Sequence, residues 1–183
     1  MGILHNTRPH AFLMAAGLAA AIIIAGVDIG TKWFVAAVVM DPPRRIPVLP
    51  FFDIVLVYNR GVSFGMFGNL GTWGPLILSG LAIGIIVFLS VWLLRAKNRG
   101  ELFSISLIIG GALGNVIDRL QDGAVTDYLD FYAGSFHWPA FNIADICISI
   151  GVLCLLVVSW RDKSNNLSER ESRRPCNGVE KNR

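Results

Sequence analysis

The chain has 183 residues, of which 54% are hydrophobic and 16% are charged, and its mean hydropathy is +0.57. A soluble domain is roughly 45–50% apolar and about 25% charged, so this composition excludes an ordinary water-soluble protein and predicts one that faces lipid. The net charge is +3, and the seven basic and four acidic residues of segment 161–183 account for all of it. The basic balance therefore belongs to a tail and gives no support to nucleic-acid binding.

Four apolar runs approach the length of about 20 residues that a helix needs to cross a bilayer. They lie at residues 11–40, 73–94, 102–120 and 141–160. The segments after the second and fourth runs are basic, with Arg95, Lys97, Arg99, Arg161 and Lys163. Because positive short loops stay in the cytoplasm, we expect both termini there and loops 41–72 and 121–140 on the opposite side.

The first run continues to Met40, beyond any small-residue cleavage point, which favours a membrane span over a removable secretory signal. Within it, Asp28 and Lys32 are four residues apart and share one helix face, in the order that suits an ion pair. An ionisable group inside a span requires a partner or a function. We interpret the two as a structural or substrate-facing pair rather than as catalytic groups.

Loop 41–72 begins with Asp41-Pro42-Pro43, which ends the first helix, and contains the apolar, β-branched run 54–58, which is typical of a strand. We therefore expect a small extracytoplasmic β-sheet on the membrane surface. Arg44, Arg45 and Arg60 in this loop argue against the proposed orientation, whereas loop 121–140 has no Lys or Arg and supports it.

The third run carries a glycine-rich stretch, from Gly110 through Gly111 to Gly114, that lets a neighbouring helix approach closely. Asn115, Asp118 and Arg119 follow on one face. Asp118 and Arg119 can compensate each other or bond to neighbouring carbonyls at the helix end, while Asn115 and Arg119 can instead donate into a shared polar cavity.

Two carboxylates flank the extracytoplasmic end of the last two runs, since Asp127 follows one run and Asp145 opens the next. Asn142 and Asp145 also resemble a capping box, which is the plain structural interpretation. Two adjacent carboxylates share a proton, so one can act as a base toward water and the other as an acid toward a carbonyl. Spacing alone leaves Asp130 as an alternative to Asp127.

The sequence has too few suitable histidines and cysteines for other kinds of hydrolytic or metal site. The three histidines, His5, His10 and His137, place at most one on the relevant face, which disfavours a zinc hydrolase and a Ser/His triad. The three cysteines have no spacing that indicates a disulfide framework or a metal site, so we expect neither metal nor cofactor. A small proton-coupled transporter and a structural subunit remain as alternatives to a peptidase, because intramembrane charges also mark ion paths.

With these motifs assembled, the sequence closely resembles the lipoprotein signal peptidases, or signal peptidase II, a family of bacterial membrane aspartic peptidases. The resemblance covers about residues 27–149. Its motifs are Asp28-x3-Lys32, residues 58–65 (YNRGVSFG), residues 110–119 (GGALGNVIDR), Gly123-x-Val125-x-Asp127-Tyr128, and Phe141-Asn142-Ile143-Ala144-Asp145. Thr126 and Cys147 depart from the residues that other members often carry there.

The resemblance implies site residues. Asp127 and Asp145 match the catalytic dyad, whereas Asn59, Asn115, Arg119 and Asn142 match residues that line the substrate site. Positions that support the site are matched by Asp28, Lys32, Asp118, Gly111 and Gly114.

The resemblance also implies a substrate and a location. The substrate is a prolipoprotein cut before a cysteine that carries a diacylglyceryl group, and the enzyme is multi-pass in the bacterial inner membrane, with membrane lipids around it. Nothing in the sequence requires more than a monomer. Residues 1–160 form the predicted peptidase domain, and the polar segment 161–183 is expected to be a disordered cytoplasmic tail.

Overall fold

A computed structural model describes residues 8–61, 73–96 and 98–172. These residues form four long helices and four short strands: α1 (Arg8–Phe34), β1 (Ile46–Leu49), β2 (Phe52–Asn59), α2 (Trp73–Leu93), α3 (Arg99–Asp122), β3 (Val125–Ala133), β4 (Phe136–His137) and α4 (Ile143–Ser172). A π-helical segment, Val35–Val39, continues α1 to the prolines. Residues 62–65 of the first outer-loop motif and Lys97 lie outside the described residues.

All four helices are long and apolar enough to cross a membrane, over Phe12–Val39, Trp73–Leu93, Arg99–Asp122 and Ile143–Asn165. The predicted fold class, an all-α membrane protein with a small sheet, is confirmed. The helices leave large apolar side chains exposed, as lipid-facing surfaces do.

Helix α3 is the central helix, and most of its span is buried while the other three spans are mostly exposed. It packs against α1, α2 and α4, with Ile105 and Ile109 in the core beside Leu89 and Leu93 of α2. Asn98 caps its start by accepting the Glu101 N–H at 2.8 Å. The helix therefore begins three residues earlier than the apolar run predicts, because a polar cap rather than hydrophobicity sets the boundary.

The strands form one antiparallel sheet in the order β1-β2-β3-β4. Across β2 and β3, Val57 pairs with Asp127 and Asn59 pairs with Val125. The register shifts between Ile54 and Val57, which indicates a β-bulge or a similar irregularity there. The strand predicted at 54–58 is confirmed within β2. Segment 121–140, treated as a loop in the sequence, instead supplies β3 and β4, and the first four residues of β3 are all buried, so both faces of the strand are covered there.

The start of α4 is fastened to this sheet. Phe141 exchanges backbone hydrogen bonds with Leu129 of β3, at 2.9 and 3.0 Å. The Phe131 ring stacks on the Phe141 ring, with centroids 5.8 Å apart. The fourth span accordingly starts at Ile143 rather than at 141, and the first turn of α4 is brought against β3.

Helix α4 continues past its apolar span to Ser172. The disordered tail predicted from Arg161 is therefore wrong for residues 161–172. A helix already nucleated by a long packed span adds further turns at little cost, even where the added side chains are polar. Asp162 contributes a contact here, since its Oδ2 accepts a hydrogen bond from Asn98 Nδ2 at 3.0 Å. Residues 173–183 lie outside the described part of the chain.

Candidate active site

Asp127 and Asp145 come together through a single bridging residue, Asn142. The Asn142 Nδ2 donates to Asp127 Oδ1 at 2.6 Å, and the Asn142 backbone N–H donates to Asp145 Oδ2 at 3.3 Å. Asn142 is fully buried and Asp127 is 2% exposed, while Asp145 is half-buried. The structure thus brings the two carboxylates to one end of the helical bundle, each hydrogen-bonded to Asn142.

The capping interpretation of Asn142 and Asp145 also describes the structure. Asn142 Oδ1 accepts the Asp145 N–H at 3.0 Å while Asp145 Oδ2 accepts the Asn142 N–H, the reciprocal pair of a capping box. The amide of Asn142 uses its oxygen for the cap and its nitrogen for Asp127. One side chain therefore begins the helix and joins the two acids, so the two interpretations are compatible.

Asn59, at the end of β2, holds the other oxygen of Asp127. Its Nδ2 donates to Asp127 Oδ2 at 3.0 Å, and its Oδ1 accepts the Gly61 N–H at 3.1 Å. Asn59 reaches Asp127 diagonally across the strand pair, because its direct partner in the register is Val125.

Burial raises the pKa of Asp127 from its ordinary 3.8 to about 6, and the negative charge of Asp145 adds to the rise. The hydrogen bonds from Asn59 and Asn142 oppose this shift because they stabilise the ionised form. A carboxyl group with such a pKa exchanges its proton near neutral pH. That is a requirement for general acid–base chemistry.

Asn115 and Arg119 approach the pair from α3. Asn115 Nδ2 donates to Asp145 Oδ1 at 2.9 Å. Arg119 Nη2 donates to the Gly61 carbonyl at 3.2 Å, whereas its buried Nε has no hydrogen-bond partner among the described residues. The structure therefore brings all four predicted substrate-site residues to the carboxylate pair or to the loop beside it.

A second layer of charge lies behind Asn115. Lys32 Nζ is 2.8 Å from Asp28 Oδ2 and 3.2 Å from Asp118 Oδ2, and all three residues are buried. The predicted Asp28–Lys32 pair is confirmed. Asp118 contacts Lys32 of α1, while Arg119 donates to the Gly61 carbonyl, so of the two forms of compensation left open the hydrogen bonds favour the one through a neighbouring carbonyl.

Two of the predicted glycines bring the helices close enough for these contacts. A Cβ on Gly111 would lie 2.5 Å from the Ala144 carbonyl oxygen, and a Cβ on Gly114 would overlap the Asp28 carboxylate. Only glycine leaves room for α4 and the Asp28 side chain at these positions. The sequence indicated a close helix approach but not the group that fills the space.

Asp130 belongs to a different cluster. Its Oδ2 is 2.8 Å from Arg45 Nη2 and 2.9 Å from His137 Nδ1, and Arg45 Nε also contacts Asp53 at 2.5 Å. Asp127 and Asp130 are three residues apart on β3, so they point to opposite faces of the sheet. The sequence did not indicate this cluster, because it depends on the register that pairs Asp53 with Asp130 across β2 and β3 and so brings two carboxylates to one cation.

An open groove of about 530 Å³ runs beside Asp145. Its walls are mainly apolar and come from the segment before α4 and from the first turns of α4: Trp138, Pro139, Ala140, Phe141, Ile146, Ile148, Ser149 and Ile150. In residues 8–61, 73–96 and 98–172 no three His, Cys, Asp or Glu side chains are arranged to hold a metal ion. The groove therefore offers an apolar surface that ends at one of the two carboxylates.

Comparison with known proteins agrees with this architecture. The family model described as signal peptidase (SPase) II matches residues 20–161. The lipoprotein signal peptidase of Vibrio campbellii is 41% identical over 153 residues, which cover 80% of this chain and 89% of the relative. That of Serratia marcescens is 40% identical over 158 residues, covering 86% and 89%.

A solved structure described as a bacterial membrane enzyme superposes with a TM-score of 0.70 at 28% identity, covering 82% of this chain and 91% of that one. A second, described in the same way, gives 0.65 at 28% identity, with coverage of 81% and 94%. The chain therefore belongs to the signal peptidase II family and is a multi-pass bacterial membrane peptidase of the aspartic type.

Proposed function

We propose that the protein removes signal peptides from prolipoproteins by cutting before a cysteine that carries a diacylglyceryl group, with Asp127 and Asp145 as the catalytic dyad. The observation that carries this proposal is the bridge from Asn142 to both carboxylates. It holds a buried acid, Asp127, and a half-buried one, Asp145, in one site, where they can share a proton.

In the proposed reaction the ionised member of the dyad accepts a proton from a water molecule, and the water oxygen attacks the scissile carbonyl carbon. The protonated member donates its proton to the carbonyl oxygen, which gives a neutral tetrahedral diol. Proton transfer to the amide nitrogen then breaks the carbon–nitrogen bond. The products are the carboxyl terminus of the signal peptide and the free α-amino group of the lipid-bearing cysteine, so every proton is accounted for.

The surroundings support a lipid-bearing substrate. The groove beside Asp145 is apolar, open and built on a membrane-spanning helix, so a chain or acyl group in the bilayer can enter it without crossing water. In the proposed complex, Asn59 and Arg119 bind the peptide backbone near the dyad, since Asn59 contacts Asp127 and both residues contact Gly61 in loop 41–72. Membrane lipids surround the exposed faces, and the unit is a monomer.

We also infer that the dyad lies at the extracytoplasmic face of the inner membrane. Arg95, Arg99, Arg161 and Lys163 lie at the end of the bundle opposite the sheet, which places that end in the cytoplasm by the positive-inside rule. Arg45, which argued against this orientation, is paired with Asp53 and Asp130 in the sheet. A reporter active only in the cytoplasm, fused after Ser172, should be active, and an inactive reporter on an inserted protein would reverse the assignment.

Reconstitution with a diacylglyceryl-modified prolipoprotein tests the reaction. Asp127→Asn and Asp145→Asn should each abolish cleavage while the protein still inserts, because an amide can neither accept the water proton nor supply the carbonyl proton. Asp122→Asn, an exposed acid at the end of α3, is the matched control and should cut at the wild-type rate. Full activity in either dyad variant would refute the dyad, and equal cleavage of a precursor without the lipid would refute the substrate class.

A further inference from the structure

The Arg45 cluster lies on the face of the sheet that points away from the dyad, and it consists of Arg45, Asp53, Asp130, Tyr132 and His137. Arg45 Nε contacts Asp53 Oδ2 at 2.5 Å, and Arg45 Nη2 contacts Asp130 Oδ2 at 2.8 Å. The guanidinium also lies 5.6 Å from the centre of the Tyr132 ring, and its Nη2 lies 3.3 Å from His137 Nδ1. Because Arg45 directly precedes β1, one side chain links the first strand to the other three.

Arg45 compensates two carboxylates that the strand register brings face to face. Asp53 and Asp130 are opposite each other on β2 and β3, and they are only 3% and 6% exposed. Like charges directly opposite one another destabilise a strand pair. The planar guanidinium contacts both carboxylates at once, through two different nitrogens. Without this cation two buried carboxylates oppose each other, so we expect the two strands to separate at this point.

The groove wall that runs from Trp138 to Phe141 is attached to β3 on either side of Asp130. The Trp138 N–H donates to the Phe131 carbonyl at 2.8 Å, and the Phe141 N–H donates to the Leu129 carbonyl at 3.0 Å. Asp130 lies between these two carbonyls in the strand, and its side chain points to the opposite face. A contact that holds Asp130 in place therefore also holds both points at which the wall is attached.

The bulge between β2 and β3 divides the sheet into two halves. In the wall half, residues 52–54 pair with residues 129–131, and in the dyad half, residues 57–59 pair with residues 125–127. The register shifts between the two halves. Both carboxylates that Arg45 contacts belong to the wall half. A disturbance of the Arg45 cluster should therefore move the groove wall and leave the dyad half in place.

We propose that Arg45 is a positioning residue that holds the groove wall from the opposite face of the sheet, and that it thereby determines how tightly the substrate binds. The inference rests on the proposed function, because it takes the groove beside Asp145 as the place where the lipid-bearing part of the substrate binds. An arginine that only stabilised the sheet would, when removed, lower the amount of active enzyme. It would leave the KM of the remaining folded enzyme unchanged.

Arg45→Gln tests the inference through kcat and KM for the lipid-modified precursor. We expect KM to rise by about 10-fold, the lower end of what one methylene of apolar contact is worth in a substrate pocket. The kcat should stay within about threefold of wild type, since a raised KM with an unchanged kcat indicates lost substrate binding. Arg44→Gln is the matched control, because Arg44 is the neighbouring exposed arginine and donates to the Val39 carbonyl instead. This control should have the wild-type KM.

A second substitution separates positioning from general damage to the sheet. In the double variant Arg45→Gln/Asp130→Asn, the asparagine keeps the size of the aspartate and removes one of the two opposed charges. The KM should therefore return toward the wild-type value relative to Arg45→Gln alone, whereas independent damage from two substitutions would add up. If Arg45→Gln fails to insert, Asp130→Asn alone serves. It weakens the same attachment and should raise KM by about threefold with kcat less affected than KM.

Trp138→Ala changes the groove wall itself and should raise KM without a comparable loss of kcat, as Arg45→Gln does. An active Arg45→Gln enzyme with the wild-type KM overturns the inference. A double variant whose KM exceeds that of Arg45→Gln also overturns it, as does an unchanged KM in Asp130→Asn.

The failure of the proposed function gives a different result in the same assay. If Asp127→Asn still cuts, or if a precursor without the lipid has the same KM as the modified one, the proposed function itself fails. An inactive Asp127→Asn enzyme and a strong preference for the lipid, beside an unchanged KM in Arg45→Gln, remove the role of Arg45 alone.

Discussion

Asn142 has two roles that one substitution can separate. Its oxygen caps α4 and its nitrogen bonds to Asp127 Oδ1 at 2.6 Å. Asn142→Ala removes both interactions, whereas Asn142→Ser keeps a capping oxygen but is too short to reach Asp127. The difference in stability between the two variants therefore measures the cap. The loss of kcat/KM that both variants show relative to wild type measures the hydrogen bond from Asn142 to Asp127.

The magnitudes follow from the two bonds. A Ser or Asn cap is worth about 1 kcal/mol over Ala, so Asn142→Ser should be more stable than Asn142→Ala by that amount. A hydrogen bond to a charged group is worth about 1.5–3 kcal/mol. If the bridge is needed when Asp127 reacts, both variants should lose roughly 10- to 100-fold in kcat/KM.

Thermal unfolding in detergent gives the stability difference, and initial rates on the lipid-modified precursor give kcat/KM. The bond from Asn142 lowers the pKa of Asp127, so both variants should also need a higher pH for activity. An Asn142→Ser enzyme with wild-type kcat/KM would refute the role of the bridge. Equal stabilities for the Ser and Ala variants would refute the cap.

Three further outcomes are expected. The pKa of Asp127 is raised to about 6 in the folded protein, so the folded state binds the proton more tightly than the unfolded chain. The protonated carboxyl therefore stabilises the fold fully below about pH 4, and the free energy of unfolding falls by on the order of 3 kcal/mol as pH rises through about 6. The free energy of unfolding, measured across this range, should fall with pH in this way in the wild type and not in Asp127→Asn. Gly111→Ala should destabilise the fold by about 1–3 kcal/mol through collision with Ala144, while Gly26→Ala, where nothing lies within 4 Å, should be neutral or stabilising by up to about 1 kcal/mol in thermal unfolding. Asp130→Asn should lower stability but keep kcat within about tenfold of wild type, since its cluster faces away from the dyad, and a rate as low as that of Asp127→Asn would contradict this.

The four helices and the strand at 54–58 were predictable because they depend on local composition and periodicity. A run of about 20 apolar residues has few alternatives to a membrane helix, since its backbone must be hydrogen-bonded internally. The Asp28–Lys32 pair was predictable for the same reason, because four residues on a helix bring two side chains to one face. The tail was mispredicted at residues 161–172, where helix continuation from a packed span outweighed polar composition.

The sequence by itself determined which residue types were available: carboxylates and amides at the ends of the last two spans, and too few histidines there for metal or triad chemistry. Sequence spacing left open whether Asp127 or Asp130 lies near Asp145, because the answer depends on which face of β3 packs against α4. The family resemblance favours Asp127, and only the tertiary structure shows which of the two lies beside Asn142: the pairing of Phe141 with Leu129 brings the Asn142 amide to Asp127. The Lys32 contacts to α3 were equally beyond the sequence, since they join side chains 83 residues apart whose distance is set by helix packing and not by local geometry.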